Sequence, residues 1–137
     1  MTAGDILFHA QFTFHDGGTG SKLLIVLNDP DLPKDEPYLL IRTTSRLKEK
    51  QMQGGCIAAW KLFYIPPTEG EYFTKPTLLQ LDDFYELTAA TVVRDGMQQI
   101  LKQVGRLSAL TLAQLKNCLK QIKEDISERH YRMIFRK

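Results

Sequence analysis

The sequence has few cysteines and no long apolar run. Its two cysteines, Cys56 and Cys118, are far apart, and neither has a metal-ligand pattern around it. A disulfide framework of the kind that staples small secreted domains is therefore not indicated. No apolar run approaches the ~18 residues needed to span a bilayer, and the N-terminal residues lack the basic flank and apolar core of a signal peptide. We expect a cytoplasmic protein without membrane contact.

A strong excess of either charge is also lacking. The formal net charge of +2 is too small to indicate a nucleic-acid partner by itself. The charges are unevenly distributed, because nine basic and three acidic residues follow from Lys102 onward, which leaves the rest of the chain net acidic. We favour a solvated helix face with a basic tail over a contact with a polyanion.

The composition is that of a globular protein. The 137 residues are 43% apolar and 25% charged, which is enough to bury a core without a metal or a disulfide. No internal repeat or low-complexity block is present. We therefore predict a single domain over residues 1–137.

Strand patterns dominate the first two thirds of the chain. Apolar residues alternate over 5–14, a glycine-rich loop follows over 15–21, and a continuous apolar run over 22–27 indicates a buried strand. Further strands are predicted over 38–41, 56–65 and 75–83, with an extension into 84–91.

Helical patterns come late. Met97, Ile100, Leu101 and Val104 follow the i, i+3, i+4, i+7 spacing of an amphipathic helix. A second helix is predicted over 111–129, with its apolar stripe packed on the strands, so the helical segment covers about 95–130. Strands first and helices last predict a mostly β fold with C-terminal helices, built as a small antiparallel barrel.

Four segments carry a resemblance to a known family. They are GDILF near the start, GSKLLIVLND after the glycine-rich loop, LIRTTS at the end of the third strand and VGRLSALTLAQL at the last helix. In this order they resemble the MazF/PemK-like toxin endoribonucleases. The likeness is good over the first strand pair and the last helix, and poor over 30–37 and 48–72.

The resemblance implies a fold, a reaction and partners. Such proteins have a small SH3-like or CcdB-like barrel, form homodimers and cut single-stranded RNA without a metal or other cofactor. A cognate antitoxin silences them by filling the RNA groove with its tail. The resemblance places the family's catalytic groups on Lys22 and Thr44, although the family usually has arginine followed by proline where Lys22 and Leu23 stand here.

Metal-free RNA cleavage needs a base for the 2′-hydroxyl, an acid for the leaving 5′-oxygen and positive charge near the phosphate. Lys22 and Thr44 are the catalytic candidates. The substrate-binding candidates are His15, Ser21, Arg42 and Ser45, and the neutral imidazole of His15 also suits proton transfer. Without the resemblance, Lys22 reads as a solvated residue, and Thr44 and Ser45 read as strand and turn formers.

Other reactive side chains have ordinary explanations. His9 is expected at the surface or a barrel edge, and His130 is expected to be structural. Trp60 is expected in the core, although aromatic side chains also stack on bases. Asp82 and Asp83 are expected at a strand end, because no third metal ligand lies at a recognisable spacing.

Three functions remain open from the sequence. The leading hypothesis is a toxin-like endoribonuclease that acts by transesterification. The alternative is a catalytically inactive barrel that binds a peptide tail or nucleic acid, and the lysine at position 22 favours it. The third is a structural or regulatory subunit that pairs through an edge of the barrel.

Overall fold

The computed structural model describes residues 1–44, 55–65, 73 and 77–135. Ser45 and Arg46, which follow the third predicted strand, lie outside this part of the chain. Seven strands and three α-helices are present in it, and their bounds are β1 Asp5–Thr13, β2 Thr19–Val26, β3 Tyr38–Thr44, β4 Gly55–Ile57, β5 Leu62–Ile65, β6 Thr77–Leu87, α1 Ala89–Met97, β7 Leu101–Arg106, α2 Ala109–Gln121 and α3 Glu128–Phe135.

The strands form one antiparallel sheet. Their spatial order is β4, β5, β6, β3, β2, β1, β7, and every neighbouring pair is antiparallel. The predicted class is confirmed, because the described residues are mostly β and the helices α2 and α3 follow the last strand. Within the described residues no pairing joins β4 to β7, so the sheet is barrel-like at most.

One face of the sheet packs against the C-terminal helices. Its core combines sheet residues such as Ile25, Ile41 and Leu79 with the helix residues Leu115 and Leu119, all fully buried. The packing predicted for the apolar stripe is therefore confirmed, but the single helix predicted over 111–129 is wrong, because α2 ends at Gln121 and α3 begins at Glu128. We call this side of the sheet the α2/α3 face.

The opposite face carries a smaller core. Leu24, Val26 and Leu40 are fully buried there, and Ala89 and Val92 of α1 pack against this cluster. We call this side the α1 face. Because less of this face is covered by helices, polar side chains that point to this side have room to contact solvent.

The predicted strand over 56–65 is two strands. A short 3₁₀ helix at Ala58–Trp60 separates β4 from β5, and Lys61 adopts a left-handed backbone with φ 55°, which reverses the chain so that β4 pairs with β5. The core position expected for Trp60 is wrong, since its side chain is 48% exposed at this turn.

The predicted helical segment over about 95–130 is wrong at its start. Helix α1 begins earlier, at Ala89, so the strand expected to run through 84–91 ends at Leu87. Gln99 has φ 60°, which breaks the helix, and residues 101–106 then pair with β1 as strand β7. Four apolar residues at helical spacing are a weak signal for a helix, and pairing with the edge of β1 outweighs it.

Cys56 and Cys118 form a disulfide, contrary to the sequence expectation. It joins exposed Cys56 in β4 to fully buried Cys118 in α2 across a sequence separation of 62 residues. A pair of cysteines so far apart gives no sequence signal, since only the fold brings them together. Among the described residues, no helix is long and apolar enough to cross a membrane.

Candidate functional site

Strands β2 and β3 bring three predicted site residues to the same region. Leu24 is paired with Arg42 across the two strands, and Lys22 and Thr44 each lie two residues further along in the same direction. Because side chains alternate along a strand, Lys22 shares the α1 face with Leu24, and Thr44 shares it with Arg42. Lys22 and Thr44 therefore lie on the same face of the sheet, two residues beyond the last pair of the two strands.

An irregularity in β6 adds a carboxylate to this region. The pairing of β3 with β6 shifts between Ile41 and Thr43, so that residues 80–83 all lie opposite Arg42. Such bulges change the direction in which a side chain points. Leu79 and Leu81 point into the α2/α3 core, whereas Asp83 reaches Arg42 on the other face, with its Oδ2 accepting a hydrogen bond from Arg42 Nε at 2.7 Å.

His15 is held against the same carboxylate. Its Nε2 lies 2.8 Å from the backbone oxygen of Phe84 and 3.3 Å from Asp83 Oδ1, and its ring stacks on Tyr85 with 3.9 Å between centroids. A carbonyl oxygen only accepts hydrogen bonds, so Nε2 carries the proton and Nδ1 keeps its lone pair in the neutral ring. The side chain is 63% exposed, so this fixed imidazole is open to solvent.

Arg42 is positioned by two contacts. Its guanidinium lies 5.0 Å from the ring centroid of Phe14, a cation–π contact, and it binds Asp83 through Nε. That ion pair does not use the two terminal amino groups of the guanidinium, which is the part that forks around phosphate oxygens. Asp83 thus holds both a histidine and an arginine, one on each oxygen.

Tyr85 contacts both His15 and Asp83. Its hydroxyl accepts a hydrogen bond from the His15 backbone N–H at 3.4 Å and lies 3.5 Å from Asp83 Oδ2. Burial raises the pKa of this phenol, with a further contribution from the charge of Asp83. Tyr85 is therefore neutral at physiological pH and serves as a platform for the imidazole.

The predicted substrate-binding residues are only partly brought together. His15 and Arg42 meet on Asp83, as described above. Ser21 is exposed and alternates with Lys22, so it lies on the opposite side of the strand. Ser45 lies outside the described residues. The strand end expected for Asp82 and Asp83 is wrong, because both lie within β6, and Asp83 is turned towards Arg42 by the irregular pairing there.

His9 is buried, which contradicts the expected surface position. It is 6% exposed, its Nδ1 accepts the Gln11 backbone N–H at 3.1 Å, and its Nε2 lies 3.5 Å from Asp95 Oδ2. His9 is also the cross-strand partner of Lys22. The histidine and Asp95 line a cleft of about 410 Å³ that has Tyr85 in its wall.

The site has the groups that acid–base chemistry on a phosphate requires. On one face of the sheet it presents the positioned imidazole of His15, the side chains of Arg42 and Lys22, and the hydroxyl of Thr44. Within the described ranges, no cluster of three or more histidine, cysteine or acidic side chains could hold a metal ion. No family model matches this sequence, and no curated protein is significantly similar to it.

Proposed function

We propose that the protein is a toxin-like endoribonuclease that cleaves single-stranded RNA by transesterification. The observation that carries the proposal is the orientation of His15, whose imidazole is stacked on Tyr85 and hydrogen-bonded through Nε2 to the Phe84 backbone oxygen, so that Nδ1 is the proton-accepting atom of the neutral ring. A general base needs this arrangement, since its proton-accepting atom must be positioned and unprotonated. The resemblance to MazF/PemK-like toxins supports the same reaction.

Each group has one role in the proposed reaction. Nδ1 of His15 takes the proton of the 2′-hydroxyl while the 2′-oxygen forms a bond to phosphorus. The bond from phosphorus to the 5′-oxygen breaks, and the Lys22 ammonium gives that oxygen a proton. Arg42 and the Thr44 hydroxyl bind the phosphate oxygens, where negative charge builds up in the transition state. The products are a 2′,3′-cyclic phosphate and a 5′-hydroxyl.

Asp83 is a positioning residue in this account. It does not touch the substrate, but it holds His15 through Oδ1 and Arg42 through Oδ2. A positioned base contributes about 10²–10⁴-fold to a rate, and much of this effect is lost when the base rotates away. Asp83 therefore fixes the distance between His15, the base, and Arg42, the cation that binds the phosphate.

The partners proposed with this reaction are single-stranded RNA, a cognate antitoxin whose tail fills the RNA groove, and a second copy of the chain in a homodimer. We propose a cytoplasmic location for the same reason, since RNA and an antitoxin are found there. The Cys56–Cys118 disulfide is uncommon for that compartment, where thiols are kept reduced. Light scattering of the purified protein tests the dimer.

The reaction is tested with purified protein, EDTA and a mixed-sequence single-stranded RNA. We expect discrete cuts that leave cyclic phosphate ends, and a rate about 10²–10⁴-fold lower for His15→Gln. Lys22→Ala is expected to remove most activity as well. Lys34→Ala, which removes a lysine that is 82% exposed in the connection after β2, is the matched control and should cut like the wild type. Absence of cuts by the folded wild-type protein would refute the proposal.

One observation favours a second function. Asp83 neutralises part of the charge of Arg42 through their 2.7 Å contact, which weakens the attraction of this arginine for phosphate. A catalytically inactive barrel that binds a peptide tail or nucleic acid would tolerate this pair. Binding of RNA without cleavage, unaffected by His15→Gln, is the result that this second function predicts.

A further inference from the structure

A cleft lies beside the candidate site on the α1 face. Its volume is about 410 Å³, within the range of about 300–1,000 Å³ of small-molecule sites. Tyr85 lines the cleft and also stacks on His15, while His9 lines it and is paired with Lys22. The cleft therefore adjoins the site through Tyr85 and through the pair of His9 and Lys22.

The rim of the cleft has the chemistry of a nucleotide-binding site. Gln11 and Gln98, which are both exposed, and Thr91 line it. Each glutamine amide offers donors and an acceptor together, the combination that the edges of nucleobases present. These side chains come from β1, α1 and the residue after α1, so they surround the opening from different elements.

Arg94 supplies a cation at the same rim. Its side chain is 64% exposed, and its Nε donates to Asp95 Oδ1 at 3.2 Å. Asp95 is 7% exposed and its other oxygen faces His9, so a buried carboxylate holds the guanidinium in place. This contact does not use the two terminal amino groups, which suit a phosphate.

Glu86 also lines the cleft, and its carboxylate is already engaged. Glu86 accepts hydrogen bonds from Arg129 and His130 of α3. Its charge is therefore balanced by α3, and it opposes an entering phosphate less than an unpaired carboxylate would.

We infer that this cleft is a subsite for one nucleotide of the RNA, with the base at Gln11, Thr91 and Gln98 and a phosphate on Arg94. The inference rests on the proposed function, because it assigns the cleft to a nucleotide that neighbours the cleaved bond. The subsite gives the enzyme a preference for the base at one position beside the cut, since the amide groups discriminate between base edges.

The test uses the full-length protein and the four nucleoside 5′-monophosphates, added one at a time and followed by amide chemical shifts. At least one nucleotide should shift the backbone amides of Gln11, Thr91 and Gln98. Arg94→Gln should weaken that binding about tenfold, the loss of roughly one charge-assisted contact. The control is Arg132→Gln, which removes an arginine of α3 that is 76% exposed and does not line the cleft.

Two results overturn the subsite. One is the absence of shifts at these amides with all four nucleotides, and the other is equal binding by the two arginine variants. Mapping of RNA cuts separates the two proposals. Cleavage without nucleotide binding in the cleft leaves the ribonuclease standing and removes the subsite, whereas nucleotide binding without cleavage refutes the ribonuclease and leaves only a cleft that binds nucleotides. Gln11→Leu, of similar size, should cut RNA with a broader base preference.

Discussion

At the scale of single residues, Asp83 joins the groups of the candidate site. It contacts His15 with one carboxylate oxygen and Arg42 with the other. Among the candidates from the sequence, His15 and Arg42 meet on Asp83, and the alternation of β2 and β3 places Lys22 and Thr44 on the same face as Arg42. Asp83 could not be predicted, because the irregular pairing of β6 that turns it towards Arg42 depends on the neighbouring strand.

Asp83→Asn tests its positioning role. The change weakens the hold on both His15 and Arg42, so we expect kcat to fall at least about tenfold, the effect of roughly one lost hydrogen bond to a charged group. KM should change less. The measurement is steady-state cleavage of a short RNA, together with the thermal midpoint of unfolding.

Asp82→Asn is the matched control. The carboxylate of Asp82 is exposed and accepts a hydrogen bond from Gln80. It should leave kcat unchanged. Equal activity of the Asp83→Asn and wild-type proteins, with equal thermal midpoints, would show that Asp83 does not position the base.

At the scale of elements, a polar cluster ties α3 to β6. Glu86 accepts hydrogen bonds from Arg129 and from His130, the latter at 2.6 Å, and the His130 ring packs against Phe84. His130 thus has a structural contact. The Arg129 hydrogen bond lowers the pKa of Glu86, and the same contact raises the pKa of Arg129.

Glu86 makes stability depend on pH. Its pKa is lower in the folded protein than the ordinary value of 4.5, so its stabilising effect is complete above that value and is lost as the pH falls through the folded pKa. Urea unfolding between pH 7 and pH 3 measures this effect. The free energy of unfolding of the wild type should exceed that of Glu86→Gln at neutral pH, and the difference should shrink in the acidic part of the range. A constant difference between the two proteins at all pH values would contradict the assignment.

The disulfide ties α2 to the edge strand β4 and is expected to stabilise the fold. A loop closed across 62 residues restricts the unfolded chain by about 4 kcal/mol in the chain-entropy account. Reduction should lower the free energy of unfolding by an amount of this order. Denaturant unfolding with and without reductant measures the difference.

Cys56→Ser controls for effects of the reductant on the rest of the protein. It removes the bond at its exposed end, so its stability should be low and independent of reductant. A wild-type protein that unfolds at the same denaturant concentration in both conditions would show that the disulfide does not contribute.

Element types were predictable where the pattern was long. The ten-residue alternation at the start and the apolar stripe of α2 gave correct elements, since both continue over several repeats. Residues 101–106 were mistaken for helix, because their structure depends on pairing with β1. Tertiary pairing of this kind overrides a short local period.

At the scale of the whole molecule, the two faces of the sheet differ in how much core they bury. The α2/α3 face buries the larger core, whereas the α1 face presents His15, Arg42 and Lys22 beside the cleft. Substitutions on the α1 face can therefore be tested for function with less risk to the fold. The mostly antiparallel class was predictable from strands preceding helices, but the incomplete closure of the sheet was not.

The most direct test of the central claim uses two RNA oligonucleotides that differ by one atom. The first contains the mapped cut site, and the second carries a 2′-deoxy sugar at the nucleotide that precedes the cut. Transesterification needs that 2′-hydroxyl as its nucleophile, so the account predicts that the protein, in EDTA, cuts the first and leaves the second intact. Equal cleavage of both, or no cleavage of either by the folded protein, would contradict it.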